Sequence, residues 1–144
     1  MKTPIRLSLA LALLIAVMAQ TQGTAAPDKD AEKSEQAVGA FMRKKLKLSE
    51  QALEGIVNED FQMIQKAAEE LDKMGRQKEW DVFSLDEYAH FSAEFRRIAK
   101  SLGKQAEKKN IDGAVNAYMQ MTMSCVECHK FTRRVRMADA TPFK

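Results

Sequence analysis

Apolar residues recur at spacings of three and four through most of the chain, the signature of helices with one buried face. From Val38 to Val57 the apolar positions Val38, Phe41, Met42, Leu46, Ala52, Leu53, Ile56 and Val57 fall within less than half of a helical wheel, while Arg43, Lys44, Lys47 and Glu50 lie elsewhere. Ser34 or Asp30 is placed to cap this first helix, and Asn58, which tolerates left-handed backbone, to end it. A second helix follows at once, with Glu59 and Asp60 in its first turn, a stripe of Phe61, Ile64, Ala68, Leu71 and Met74, and Gly75 at its end. The pattern fails from Arg76 to Phe83, which reads as a crossover loop whose Trp80 and Phe83 tuck into the core. Ser84-Leu85-Asp86-Glu87 has the form of a capping box and opens a third helix with the stripe Tyr88, Phe91, Phe95, Ile98 and Leu102. His90 lies off that stripe and reads as a solvated histidine. Gly103 to Lys109 is too polar to bury, and Asn110 caps a fourth helix carrying Ile111, Ala114, Tyr118, Met121 and Thr122 on its inner face. Pro142 ends whatever helix survives.

No stretch alternates as a strand does, and there is no internal repeat or low-complexity tract. Short links within each helix pair and one longer crossover predict an all-α fold, an antiparallel four-helix bundle over residues 34–137. Before it, Lys2 and Arg6 precede an apolar run from Leu7 to Ala19, too short to span a bilayer comfortably, and this reads as a signal peptide. Small residues allow cleavage after Ala19 or Ala25, an uncleaved anchor being the alternative. Residues 20–33 are polar and read as a flexible leader, and residues 138–144 as a tail. A periplasmic or otherwise exported domain with no transmembrane span after processing is expected.

The last predicted helix contains Cys125-Val126-Glu127-Cys128-His129, which reads C-x-x-C-H, the form at which haem is attached covalently in c-type cytochromes. Three positions apart on a helix, the two thiols share a face and can each add to one vinyl group of a porphyrin, while His129, four from Cys125, can reach the iron. Other readings of the motif are weaker. A thioredoxin-like pair belongs in a strand-to-helix turn that the chain lacks; a zinc site needs four ligands, and beyond these three only a distant His90 is offered. A disulfide between Cys125 and Cys128 would close a small, strained ring. The expected cofactor is therefore one haem c, and export agrees with it independently, because c-type haem is attached outside the cytoplasm.

Charge narrows the partners. The formal net charge is +3, and Lys2 and Arg6 of the leader account for most of it, so the domain is near neutral and is not expected to bind nucleic acid. Lys130, Arg133, Arg134, Arg136 and Lys144 follow the motif with only Asp139 opposing them. Such a tail could steer a transient, acidic redox-protein partner; cations at a helix C-terminus, where the macrodipole favours them, are the plainer explanation. No Ser/His/Asp set, paired-carboxylate site or Gly-rich phosphate loop appears, so the chain is not expected to be an enzyme.

With C-x-x-C-H late in the fourth of four helices, the chain resembles a class II c-type cytochrome, the cytochrome c′ family, from the first helix to about Arg136. The resemblance implies Cys125 and Cys128 as thioether attachment points, His129 as the proximal iron ligand and Arg133, four positions on, close to the proximal haem face. In high-spin members an apolar side chain of the first helix blocks the sixth iron site; in low-spin relatives a methionine fills it, and Met42 stands at the corresponding position. Methionine is also a common core filler, and this chain has nine. Histidine with methionine suits a carrier of single electrons. If the iron is instead five-coordinate, a module that binds or senses gases such as NO or CO is the alternative. Many members pair through their first two helices; the outward apolar residues that would support such a homodimer here are only Leu48 and Met63.

Overall fold

The computed structural model of the chain describes residues 29–77 and 84–140, and these form four helices with no strand among them. Helix α1 is Lys29–Val57, α2 Phe61–Met74, α3 Asp86–Glu107 and α4 Ile111–Ala140. The signal segment, its cleavage sites, Trp80, Phe83 and Pro142 lie outside the described residues. None of the helices is long and apolar enough to cross a membrane.

The two tight links share one design. Between α1 and α2, Glu59 takes left-handed backbone (φ 54°), its N–H donates to Ile56 O (3.2 Å), and Asp60 N–H donates back to Gly55 O (2.8 Å). Between α3 and α4, Lys109 has the same φ of 54°, with Lys109 N–H to Ala106 O (2.9 Å) and Asn110 N–H to Gln105 O (3.0 Å). This double bond over a left-handed residue closes the carbonyls that a helix end leaves open. The following residue caps the next helix: Asp60 Oδ1 accepts from Met63 N–H and Asn110 Oδ1 from Gly113 N–H, each at 3.0 Å. Asn110 caps as its sequence predicts. Asn58 does not supply the left-handed residue, however, and Asp60 stands before α2 rather than in its first turn. The chain turns one residue later because that register puts the short acceptor side chain at the cap.

Other ends differ from expectation in the same way. The capping box at Ser84 does not form: α3 begins at Asp86, Leu85 is its N-cap in extended backbone, and no side chain caps it. Started one residue late, the helix leaves Ser84 outside its first turn. Helix α3 also runs to Glu107 with Ala106 buried, so the stretch from Gly103 is not excluded from the core. A small methyl sits inward there while Lys104 and Glu107 face water. Helix α1 starts at Lys29, ahead of both candidate caps.

The core is built from Ile64, Ala67, Ala68, Leu71 and Met74 of α2, Tyr88, Phe95, Ile98, Ala99 and Leu102 of α3, and Ala114, Ala117 and Met121 of α4. Alanines on facing surfaces let helices approach closely, and full burial of a side chain such as Leu71 contributes roughly 1.5–3 kcal/mol. Helix α2 packs along α3, and α3 along α4. Ala68 meets Gly103, and Arg96 donates to Gly75 O (2.9 Å), so α2 and α3 run antiparallel. With two tight turns, all neighbours in sequence are antiparallel, an arrangement compatible with a four-helix bundle. Gly55 is needed where α1 meets α2: a Cβ there would lie 2.9 Å from Ile64 Cγ1 and 3.1 Å from Asp60 O.

Helix α1 is rotated from its predicted face. Phe41, Ala52 and Ile56 are buried as expected, but Leu46, Leu53 and Val57 are exposed, and Lys45 is buried in their place. Positions 41, 45, 52 and 56 form a stripe at helical spacing, and the small Ala52 fits the close contact that bulky Leu53 would not. On α4, Thr122 faces solvent while Ala117 and Ser124 turn inward. Leu48 packs against the core, so the outward apolar residues of α1 are Leu46, Leu53 and Val57.

Urea unfolding of single variants checks this packing. Gly55→Ala is expected to cost about 1–3 kcal/mol, because backbone atoms of the turn cannot move aside. Lys109→Gly is expected to gain up to about 1 kcal/mol by relieving left-handed backbone. Leu71→Ala should cost about 2–5 kcal/mol, and Leu53→Ala, on the exposed face, under about 1 kcal/mol; equal losses at Leu53 and Leu71 would contradict the orientation of α1.

Candidate functional site

Helix α4 is continuous from Ile111 to Ala140, so Cys125, Cys128 and His129 occupy one turn of unbroken helix. Both cysteines are free thiols, half-buried, and both pack against the core. Tyr118, Thr122 and Thr132 lie along the same helix; the two threonine hydroxyls donate to Tyr118 O (3.1 Å) and His129 O (3.2 Å). Phe131 packs on Phe91 of α3, ring centroids 5.4 Å apart, and ties this end of α4 to the bundle.

Between α4 and α1 a cavity of about 470 Å³ opens to solvent, lined by Met42, Arg43, Lys45, Leu46 and Ser49 of α1 and by Cys125, Val126, His129 and Arg133 of α4. Four of the five residues singled out from the sequence thus meet at one cavity: Met42 on one wall, and Cys125, His129 and Arg133 on the other. The fifth, Cys128, lies a helical turn from Cys125 on the core side and is not among the lining residues. Met121 is buried, whereas Met119 and Met123 are exposed on the far side of α4, away from Met42.

Lys45 is the residue the sequence pattern passed over. It is 8% exposed, and its Nζ lies 3.7 Å from the centroid of the Phe95 ring on α3, a cation–π contact across the bundle interior. It stands four positions after Phe41 and seven before Ala52, on the stripe that the orientation of α1 turns inward. Arg43 and Arg133 are exposed at the cavity mouth, so the described lining carries three cations and no carboxylate.

This charge acts on the groups nearby. Burial, then the charges of Lys45 and Arg133, hold the His129 imidazole below its ordinary pKa. Burial pushes the Cys128 thiol up, with Lys45 partly opposing it and Cys125 adding to it. Burial also lowers Lys45, against the pull of the two cysteines. Among the described residues no three His, Cys, Asp or Glu side chains could share a metal ion. A cofactor that brings its own metal and most of its ligands needs no such cluster.

In the unmodified chain, Cys128 is expected to alkylate slowly at neutral pH, and Lys45→Met to slow it further, since removing the ammonium disfavours the thiolate. Timed iodoacetamide labelling with peptide mass spectrometry reads this, and faster labelling in Lys45→Met would contradict it. No protein-family model matches the chain, and neither does any curated protein or solved structure.

Proposed function

We propose that the chain is an exported c-type cytochrome of the class II kind, carrying single electrons between redox partners on one covalently held haem. The observation that supports this most directly is the meeting, at one cavity, of a free thiol, an imidazole and an opposing thioether: Cys125 and His129 on α4, Met42 on α1. The residues present fit the group. The cavity's volume lies in the range of small-molecule sites. Its wall combines apolar surface with three cations that suit a flat apolar ring bearing carboxylates.

In this reading Cys125 and Cys128 would tether the ring through thioethers, and His129 and Met42 would be the protein's donors to its iron. Haem supplies the one-electron chemistry when bound, and the protein supplies attachment, axial donors and a low-dielectric wall. Arg133, one turn beyond His129 at the cavity mouth, stands where it can contact the proximal side and meet a carboxylate. Lys130, Arg134 and Arg136 continue as a basic edge around α4, a surface suited to brief docking of an acidic redox protein.

The test is expression of the full chain with cytochrome c maturation, followed by denaturing electrophoresis stained for haem and by ferric and ferrous spectra. The expected protein retains haem through denaturation and shows a sulfur-to-iron charge-transfer band that Met42→Ala abolishes. It takes up carbon monoxide slowly, because a ligand must first leave. An identical high-spin spectrum in wild type and Met42→Ala, with rapid carbon monoxide uptake, would overturn electron carriage and favour a gas-binding module.

A further inference from the structure

We propose that Lys45 is a buried cation of the haem cavity that raises the reduction potential, making this site an electron acceptor of higher potential than its axial ligands alone would give. The inference rests on the haem reading above and adds a residue that the motif does not contain.

Three observations carry it. Among the described lining residues Lys45 is the one buried cation, at 8% exposure, whereas Arg43 and Arg133 are exposed to water. Its ammonium rests on the face of Phe95 at 3.7 Å, an aromatic seat that favours the charged form and fixes its position inside the bundle. It also lines the same cavity as Cys125, one of the two sulfurs that would tether a porphyrin there.

A positive charge in such a place has one electrostatic consequence. Oxidation adds a unit of positive charge to the iron site, and a nearby cation in low dielectric disfavours that state more than the reduced one. Burial matters to the size of the effect. Mobile ions screen exposed charges over about 8 Å at physiological ionic strength, but they screen a buried group much less. Burial lowers the pKa of Lys45, against the pull of the two cysteines.

The experiment is spectroelectrochemical titration of the haem-loaded full chain at fixed neutral pH, in low and high salt, for wild type, Lys45→Met, Lys45→Gln and Lys45→Arg. The midpoint is expected to fall in both neutral variants and to stay near wild type in Lys45→Arg, and the gap should persist in high salt. Ferric spectra of all four proteins should show the same axial ligands. Coincident midpoints in wild type, Lys45→Met and Lys45→Gln would overturn the proposal, as would a gap that vanishes in high salt. A change of axial-ligand spectrum on losing the amine would overturn it in another way, by assigning Lys45 to the iron itself. Absence of covalently retained haem in the wild type would instead refute the haem reading beneath it, and denaturing electrophoresis separates that failure from the others.

Discussion

At the end of the bundle where α1 faces the last turns of α4, the helices do not supply enough apolar volume to fill the space between them. Towards the other end, Ala52 and Ile56 of α1 and Ala114, Ala117 and Met121 of α4 are buried. Near Cys125 the inner face of α4 passes to Ser124 and to half-buried Cys125, Cys128 and Phe131, and α1 presents Met42, Lys45 and Ser49. The gap opens to solvent and part of its wall is apolar, so a ligand that covered that wall would be favoured. The cavity, the buried ammonium and the pair of unpaired thiols all belong to that one shortage.

The rest of the fold holds this end open without collapsing. Helices α2 and α3 form a close-packed pair, stitched by Ala68 against Gly103 and by Arg96 on the carbonyl of Gly75. Two turns of the same design hang α1 and α4 on that pair, each clamped by a left-handed residue and a side-chain cap. Both turns lie at the end of the molecule away from Cys125. The outer helices are thus fixed where they meet the inner pair, and they bound the cavity at their far ends. Phe131 against Phe91 keeps α4 from peeling away there. The surface ion pairs, such as Lys73 with Glu70 and Arg97 with Glu94, are exposed and add little to this scaffold.

Much of the architecture was legible because α2 and α3 carry narrow stripes: Ile64, Ala68, Leu71 and Met74, and Phe95, Ile98 and Leu102, each admit one inward orientation. Helix α1 was harder. Its apolar residues cover a wide arc, so periodicity could not choose between a face with Leu46 and Leu53 and a face with Phe41, Lys45 and Ala52; the contact with Gly55 and Ile64 chose the second. A lysine is read as solvated by type, so Lys45 was invisible to hydropathy. Glu59 and Lys109 are also unusual left-handed residues, which is why the sequence points to Asn58 for the first turn, whereas the cap at Asn110 marks the second. The site was legible for a different reason: C-x-x-C-H is a short motif tied to a mechanism, and its spacing needs only a helix to present it. What that motif could not give was the opposite wall, because a cavity is made by elements far apart in sequence.

The most direct test of the account is the covalent state of one peptide. Wild-type chain matured with haem is denatured and digested, and the fragment spanning Cys125 to His129 is weighed by mass spectrometry. The account predicts a fragment carrying one haem on both sulfurs, reduced to a single linkage in Cys125→Ala or Cys128→Ala and to none in the double variant. Two free or alkylatable thiols in a chain from cells that mature other c-type cytochromes would contradict it.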